Sequence, residues 1–209
     1  MKILRVGKVE ITRLKPAGFR IKGDDLVIYF DPYKETDGKA DVILISHDHF
    51  DHFDLSTINL LEKPSTQIIG PEVLINKITS NFHPLKPGNS TTIRGLKIET
   101  IPAYNINSHY HPKSNGYLGF IIEISGERIY FAGDTDKTTE MLSLKNIDVA
   151  MLPIGGTYTM NENEAASAAK VIKPKIVIPM HCADEIISSG DPQTFRHLAD
   201  KISKVNILE

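Results

Sequence analysis

The chain has a single cysteine, almost no net charge and no apolar run that approaches the length of a membrane span. Each scarcity removes a class of protein. Cys182 has no second cysteine to pair with, which fits a reducing cytosol, so a cytoplasmic location is expected. Beside His181 it reads as a small buried hydrophobe rather than a ligand. A formal net charge of −2 and the lack of a basic stretch argue against nucleic acid, whose readers carry a basic face. The opening Met1-Lys2-Ile3-Leu4-Arg5 lacks the apolar core and small-residue cleavage pattern of a signal peptide, so neither export nor a membrane partner is expected. No linker, low-complexity segment or charge run divides the chain. At 209 residues, 41% hydrophobic and 24% charged, it is expected to form one soluble domain spanning 1–209, since two cores would be cramped.

What is present is concentrated in His47-Asp48-His49-Phe50-Asp51-His52. Three of the chain's eight histidines fall in this stretch, directly after the apolar run Val42-Ile43-Leu44-Ile45, which reads as a buried strand. His47 and His49 are two apart and point the same way if strand geometry persists. Asp51 and His52 follow where the chain turns and reach a second point nearby. Packing gains nothing from such a group, and burying it without a cation would cost several kcal/mol per unpaired charge. The pattern suits two neighbouring cations better than one. Imidazole with carboxylate suits Zn²⁺ first, with Mn²⁺ or Fe²⁺ as alternatives, rather than the all-oxygen shells of Ca²⁺ and Mg²⁺.

The rest of the chain alternates strand and helix. Val9 to Leu14, Phe19 to Lys22 and Leu26 to Phe30 read as strands, the last closed by Asp31-Pro32. Leu55, Ile58 and Leu61 recur at helical spacing behind Asp54, a cap. Ile68-Ile69 is a short strand, and Gly70-Pro71 is expected to open a helix with Leu74, Ile75 and Ile78 on its apolar face. Thr91 to Arg94 and Lys97 to Ile101 return to β, and Tyr117 to Ile124 with Arg128 to Ala132 form a hairpin. Ile147 to Leu152 and Lys175 to Met180 are strands around a helix that opens with Asn161 and Glu164 as a capping box. A last helix from Asp191-Pro192 turns Phe195, Leu198, Ala199 and Ile202 inward, and Val205 to Leu208 closes as a strand. Each half leaves one sheet face to cover. The arrangement that covers both is α+β, two mixed β-sheets face to face, flanked by helices.

Two further strand ends carry polar residues: Ile129-Tyr130-Phe131-Ala132 runs into Gly133-Asp134-Thr135, and Ile176 to Met180 into His181. Such positions lie at a sheet rim, where α/β proteins collect site residues. The order His47/His49/Asp51/His52, Gly133-Asp134-Thr135 and Pro179-Met180-His181 resembles the metallo-β-lactamase superfamily. Within it the chain is similar to the small stand-alone Zn-dependent hydrolases that include L-ascorbate-6-phosphate lactonase-like proteins. Pro102-Ala103-Tyr104-Asn105 and Pro153 to Met160 add to the likeness.

That resemblance implies an αββα four-layer sandwich with a two-metal site at one edge. His47 and His49 would hold the first metal, Asp51, His52 and His181 the second, with Asp134 between them. The family's third histidine for the first metal usually follows Pro-Ala-x, where this chain has Asn105, a feeble ligand for these ions. His109 and His111 lie just beyond, and His111 is favoured because Pro112 stiffens the backbone beside it. The implied chemistry is hydrolysis by hydroxide generated between two divalent ions roughly 3.5–4 Å apart, with Asp51 also moving the proton. A small-molecule substrate is expected: a small anionic ester, lactone or phosphodiester. His109 and Lys113, or the backbone of Gly155-Gly156-Thr157, are candidate contacts for an anionic group on it. The likeness also suggests a homo-oligomer. Two other classes share the ligand set: a di-iron redox protein served by a separate flavin partner, and a non-catalytic module that uses metal for stability. Iron would colour the first, and closed coordination positions would mark the second.

Overall fold

The computed structural model describes residues 2–34, 36–182 and 188–208. The first half forms a seven-stranded sheet of β1 (Ile3–Val6), β2 (Val9–Arg13), β3 (Phe19–Gly23), β4 (Leu26–Phe30), β5 (Val42–Leu44), β6 (Gln67–Pro71) and β7 (Phe82–Leu85), ordered as in the sequence. The second half forms another of β8 (Ser90–Ile93), β9 (Leu96–Pro102), β10 (Leu118–Ile124), β11 (Glu127–Phe131), β12 (Val149–Pro153), β13 (Ile176–Met180) and β14 (Lys204–Val205). In each, the first four strands are antiparallel and the last three add in parallel. Parallel pairing needs crossovers, and these carry the helices.

The halves also repeat their central hairpin. Asp24-Asp25 joins β3 to β4 and Ser125-Gly126 joins β10 to β11, all four with positive φ as a type I′ turn requires. The two turns meet, the Ser125 N–H donating to Asp24 Oδ2 at 2.6 Å. Between the sheets Phe19, Phe30, Phe120 and Phe131 are fully buried, and Phe30 stacks on Phe131 at 4.9 Å between ring centres. Helix α1 (Leu55–Leu61) covers the outer face of the first sheet through Ile58 and Leu61, and Asp54 accepts from the Ser56 N–H at its start. A short helix, α2 (Thr139–Leu142), with α3 (Glu162–Ile172) and α4 (Pro192–Ala199), belongs to the second half. Asn161 and Glu164 close a reciprocal capping box on α3, whose buried alanines bring the helix close to the sheet. This is the expected four-layer αββα sandwich of α+β class.

Several local expectations fail for physical reasons. No α-helix follows Gly70-Pro71. Both residues pair in β6 against Pro84 and Leu85 of β7, and only one 3₁₀ turn, Glu72–Leu74, follows, leaving Ile75 exposed. Strand β7 carries Pro84 and pairs on one side only, an edge where proline is tolerated. Leu198 lies on the exposed side of α4, and Ile202 falls beyond that helix's end. The closing strand is the two-residue β14, although Ile207 and Leu208 are buried beyond it.

Candidate metal centre

The polar cluster assembles where the parallel strands end. His47 lies three residues past β5, Asp134 three past β11 and His181 one past β13, all almost fully buried. The turns that deliver them are strained or need glycine. His181 and Asp31 adopt left-handed backbone at φ +50° and +41°, conformations that persist only when surroundings enforce them. Gly133 has φ +64°, and a Cβ there would lie 2.9 Å from the Leu118 carbonyl oxygen, so Asp134 enters on a turn no larger residue fits. Arg13, itself buried, donates to the Cys182 carbonyl at 3.1 Å and fixes the chain just past His181.

Asp134 stands at the centre. Its Oδ2 is 3.3 Å from His181 Nε2, 3.5 Å from His111 Nε2 and 4.0 Å from His47 Nε2, and its Oδ1 is 3.3 Å from His52 Nε2. Asp51 Oδ2 lies 3.4 Å from His181 Nε2 and 3.5 Å from His52 Nε2. His111 Nε2 and His49 Nδ1 are 3.2 Å apart. Two trios result, His47–His49–His111 and Asp51–His52–His181, each with its donor atoms within 4.8 Å of one another. Asp134 touches both.

Donors bound to one cation at about 2.0–2.2 Å in tetrahedral geometry sit about 3.3–3.6 Å from each other. Most of the separations here fall in or near that range, beyond the length of a charge-assisted hydrogen bond. His47 Nε2, His52 Nε2 and Asp134 Oδ1 are buried without any hydrogen-bond partner, although each is aimed at this point. Orphaned buried nitrogens and oxygens are costly unless something binds them. The donor set therefore fits divalent metal.

The outward nitrogens are held from behind. Asp31 accepts the Ser46 N–H at 2.7 Å and lies 2.7 Å from His52 Nδ1, while Ser46 Oγ is 2.8 Å from His47 Nδ1. A third trio, Asp31–His47–His52, is this orienting network seen from outside. Its carboxylate faces the back of the rings and fixes which nitrogen points inward. Asn105 plays the same part for His111: its Oδ1 is 3.0 Å from His111 Nδ1 and accepts the His111 N–H at 3.1 Å. Its amide donates to Asp136 and to the Tyr158 carbonyl, both at 2.9 Å. Tyr117 packs its ring against His47, His49 and His111, at 5.2, 5.8 and 6.0 Å between centres, and its hydroxyl donates to Asp48 at 2.9 Å.

Burial disfavours charge at every group here, and the local balance then separates them. Burial and His52 hold His47 well below the ordinary histidine range. His52 is raised well above it: the carboxylates of Asp134, Asp31 and Asp51 outweigh burial. His181 is raised to about 9, Asp134 outweighing its burial. Asp51 and Asp134 are kept below the carboxylate range, burial being overcome by His181 and His52.

Of the three residues weighed for the third position beside His47 and His49, His111 is brought in, Asn105 stands behind it and His109 stacks on Tyr110 instead. Asp31 is the residue that sequence reading passed over. Its signal was available: a carboxylate directly past the apolar strand β4, one residue beyond its end where Asp134 lies three beyond β11.

Comparison with known proteins gives the family. The β-lactamase superfamily domain matches residues 10–181, so the chain belongs to that superfamily. It is a metal-dependent hydrolase. A metal-dependent hydrolase of Thermococcus onnurineus in the UPF0173 group is 31% identical, over 96% of each chain. A crystal structure from Parabacteroides distasonis is 35% identical with a TM-score of 0.87, covering 100% of this chain and 98% of that one. Igni18, a metallo hydrolase from Ignicoccus hospitalis, is 26% identical with a TM-score of 0.80, over 96% and 95%.

Proposed function

We propose that the protein hydrolyses a small ester, lactone or phosphodiester using two divalent cations, Zn²⁺ foremost, with Mn²⁺ or Fe²⁺ as alternatives. His47, His49 and His111 would hold one and Asp51, His52 and His181 the other, with Asp134 shared. Two such ions supply hydroxide at neutral pH and polarise the oxygen of the bond to be broken. The observation that carries the reading is the spacing around Asp134, where five histidine nitrogens and two carboxylates converge at ligand-to-ligand distances.

The protein's own groups then divide the work. Asp31 and Asn105 orient imidazoles, and Tyr117 backs three of them against sideways motion. Asp51 lines the cavity beside the centre with its Oδ2 turned to His52 and His181, and would carry the proton from the attacking water to the leaving group. The enzyme is taken to be cytoplasmic and self-associating, and lactones remain one member of the substrate class.

Of the expected contacts for an anionic substrate group, Lys113 and the Gly155-Gly156 backbone are engaged within the protein, while His109 is exposed and stacks on Tyr110 of the cavity wall. Lys113 Nζ is bound to Glu140 at 2.7 Å and lies over the Tyr104 ring. The Gly155 N–H donates to Thr159 Oγ1 and the Gly156 N–H to the Met160 carbonyl, so neither is offered to a ligand. Gly155 serves packing instead: a Cβ there would lie 3.1 Å from His181 Nδ1.

The test is elemental analysis of protein purified without added metal, followed by a screen of lactones, carboxyl esters and bis-(p-nitrophenyl) phosphate with Zn²⁺ and Mn²⁺. Bound transition metal with turnover of one class is expected. Protein that carries none and takes up none overturns the reading.

A further inference from the structure

Beside the proposed centre lies a cavity of about 460 Å³, a size suited to a small ligand. Its floor is the donor cluster. Its remaining walls include Phe50, Tyr110 and Tyr158, and no lysine or arginine lines it among the described residues. The two most exposed of these rings sit beside the proposed ligands. Phe50, between His49 and Asp51, is 66% exposed, and Tyr110, next to His111, is 48% exposed. Exposure alone would not set them apart, since Leu60 is equally open, but Phe50, Tyr110 and Tyr158 gather around one cavity rather than standing singly on the surface.

The rings are held in place. Tyr110 meets Tyr158 edge to face at 4.6 Å between centres, and Tyr33 braces Phe50 edge to face at 6.4 Å. The Tyr110 loop is closed by two bonds between Asn105 and His111, the Asn105 N–H donating to the His111 carbonyl at 2.8 Å and the His111 N–H returning to Asn105 Oδ1. One loop thus delivers both a proposed ligand and an aromatic wall. Asp48, the other charged group lining the cavity away from the donors, is bound by Lys77 at 2.5 Å and offers no free charge.

We propose that Phe50, Tyr110 and Tyr158 form a specificity site for a flat ring of the substrate that carries no charge of its own, beside the bond held at the centre. This rests on the hydrolase reading only for the bond that is cut. Ring recognition is a binding property and is measured without turnover. Face and edge contacts with a planar ring add to its burial, and truncation forfeits both.

The chain has no tryptophan, so a naphthyl fluorophore is read against little background. The experiment titrates the full-length protein, as purified, with 2-naphthol and with 6-hydroxynaphthalene-2-sulfonate. Saturable binding of 2-naphthol is expected, weakened about tenfold in both Phe50→Ala and Tyr110→Ala, unchanged in Tyr110→Phe and about tenfold weaker for the sulfonate. No saturable binding, affinity indifferent to the two truncations, or preference for the sulfonate overturns the proposal. Truncations that alter self-association but not probe affinity do so as well, since the rings would then be a surface between copies. Failure to turn over any lactone, carboxyl ester or phosphodiester while 2-naphthol binds as described would remove the proposed substrate class and leave ring recognition standing.

Discussion

The two halves of this protein repeat one topology strand for strand, yet their strand ends carry different chemistry. β4 and β11 occupy matching places, each the last antiparallel strand before the parallel ones. The Asp31 N–H donates to Leu44 of the next strand just as the Ala132 N–H donates to Met151. In the first half the carboxylate sits at that position and turns to the back of His52. In the second it comes two residues later, past Gly133, and enters the donor cluster itself. The loops after β5 and β12 diverge further. One carries four of the donors; the other is a glycine turn packed on His181. A repeated frame therefore leaves the donors free to differ, because only the rim positions face the centre.

The same contrast separates the two proposed metal positions. Asp51, His52 and His181 come from the His47–His52 loop and a parallel strand end, backed by fully buried Asp31. His47, His49 and His111 depend on an excursion between β9 and β10, and Asn105 alone latches His111 from behind. The Asp51–His52–His181 trio is expected to bind more tightly.

The largest expected effect is from Asp134→Ala, which removes the one group common to both trios. Metal content should fall in both, with turnover down on the order of 10³-fold or more, as loss of several kcal/mol requires. A variant that kept one full equivalent would show that Asp134 belongs to one trio only. Next is Asp51→Asn, where kcat is expected to drop about 10²–10⁴-fold while metal content changes little. Parallel losses of metal and turnover would make Asp51 a ligand alone. Smaller again are Asp31→Asn and Asn105→Ala, each expected to weaken metal binding about 10–100-fold in competition with a chelator. Asp31→Asn should act chiefly on the Asp51–His52–His181 trio, which it touches directly through His52, and less on the other, which it reaches through Ser46 and His47. Asn105→Ala should act on the His47–His49–His111 trio; the reverse order would break the comparison.

The smallest concerns the His111 loop. Lys113 beside Glu140 lowers the Glu140 carboxyl to about 2, against its slight burial. Its folded value lies below its unfolded one, so the stabilisation is present above the unfolded value and lost as pH falls toward 2. Glu140→Gln should lower Tm slightly at neutral pH, with the gap closing in acid. A gap that widened in acid would rule the pair out as a stabilising contact.

Much of this frame was legible because strands that end in polar residues announce themselves: Val42 to Ile45 before His47, Ile129 to Ala132 before Asp134, and Ile176 to Met180 before His181. Asp31 was hidden by Pro32, since Asp-Pro after a strand reads as a turn. His111 was picked out for Pro112, but the contact that seats it is with Asn105, six residues back, which no local pattern reveals. The missed edge strands, Ile3–Val6 and Phe82–Leu85, are four residues each and only half buried, too short for periodicity to register. Leu74 and Ile78 looked helical because both are buried at that spacing, although only one 3₁₀ turn lies between β6 and Ile75.

Metal titration of the metal-stripped protein and its His111→Ala variant tests the two-position centre most directly. Two equivalents of Zn²⁺ are expected in the parent chain and one, at near-parental affinity, in the variant. Two equivalents in both, or none in the parent, would contradict it.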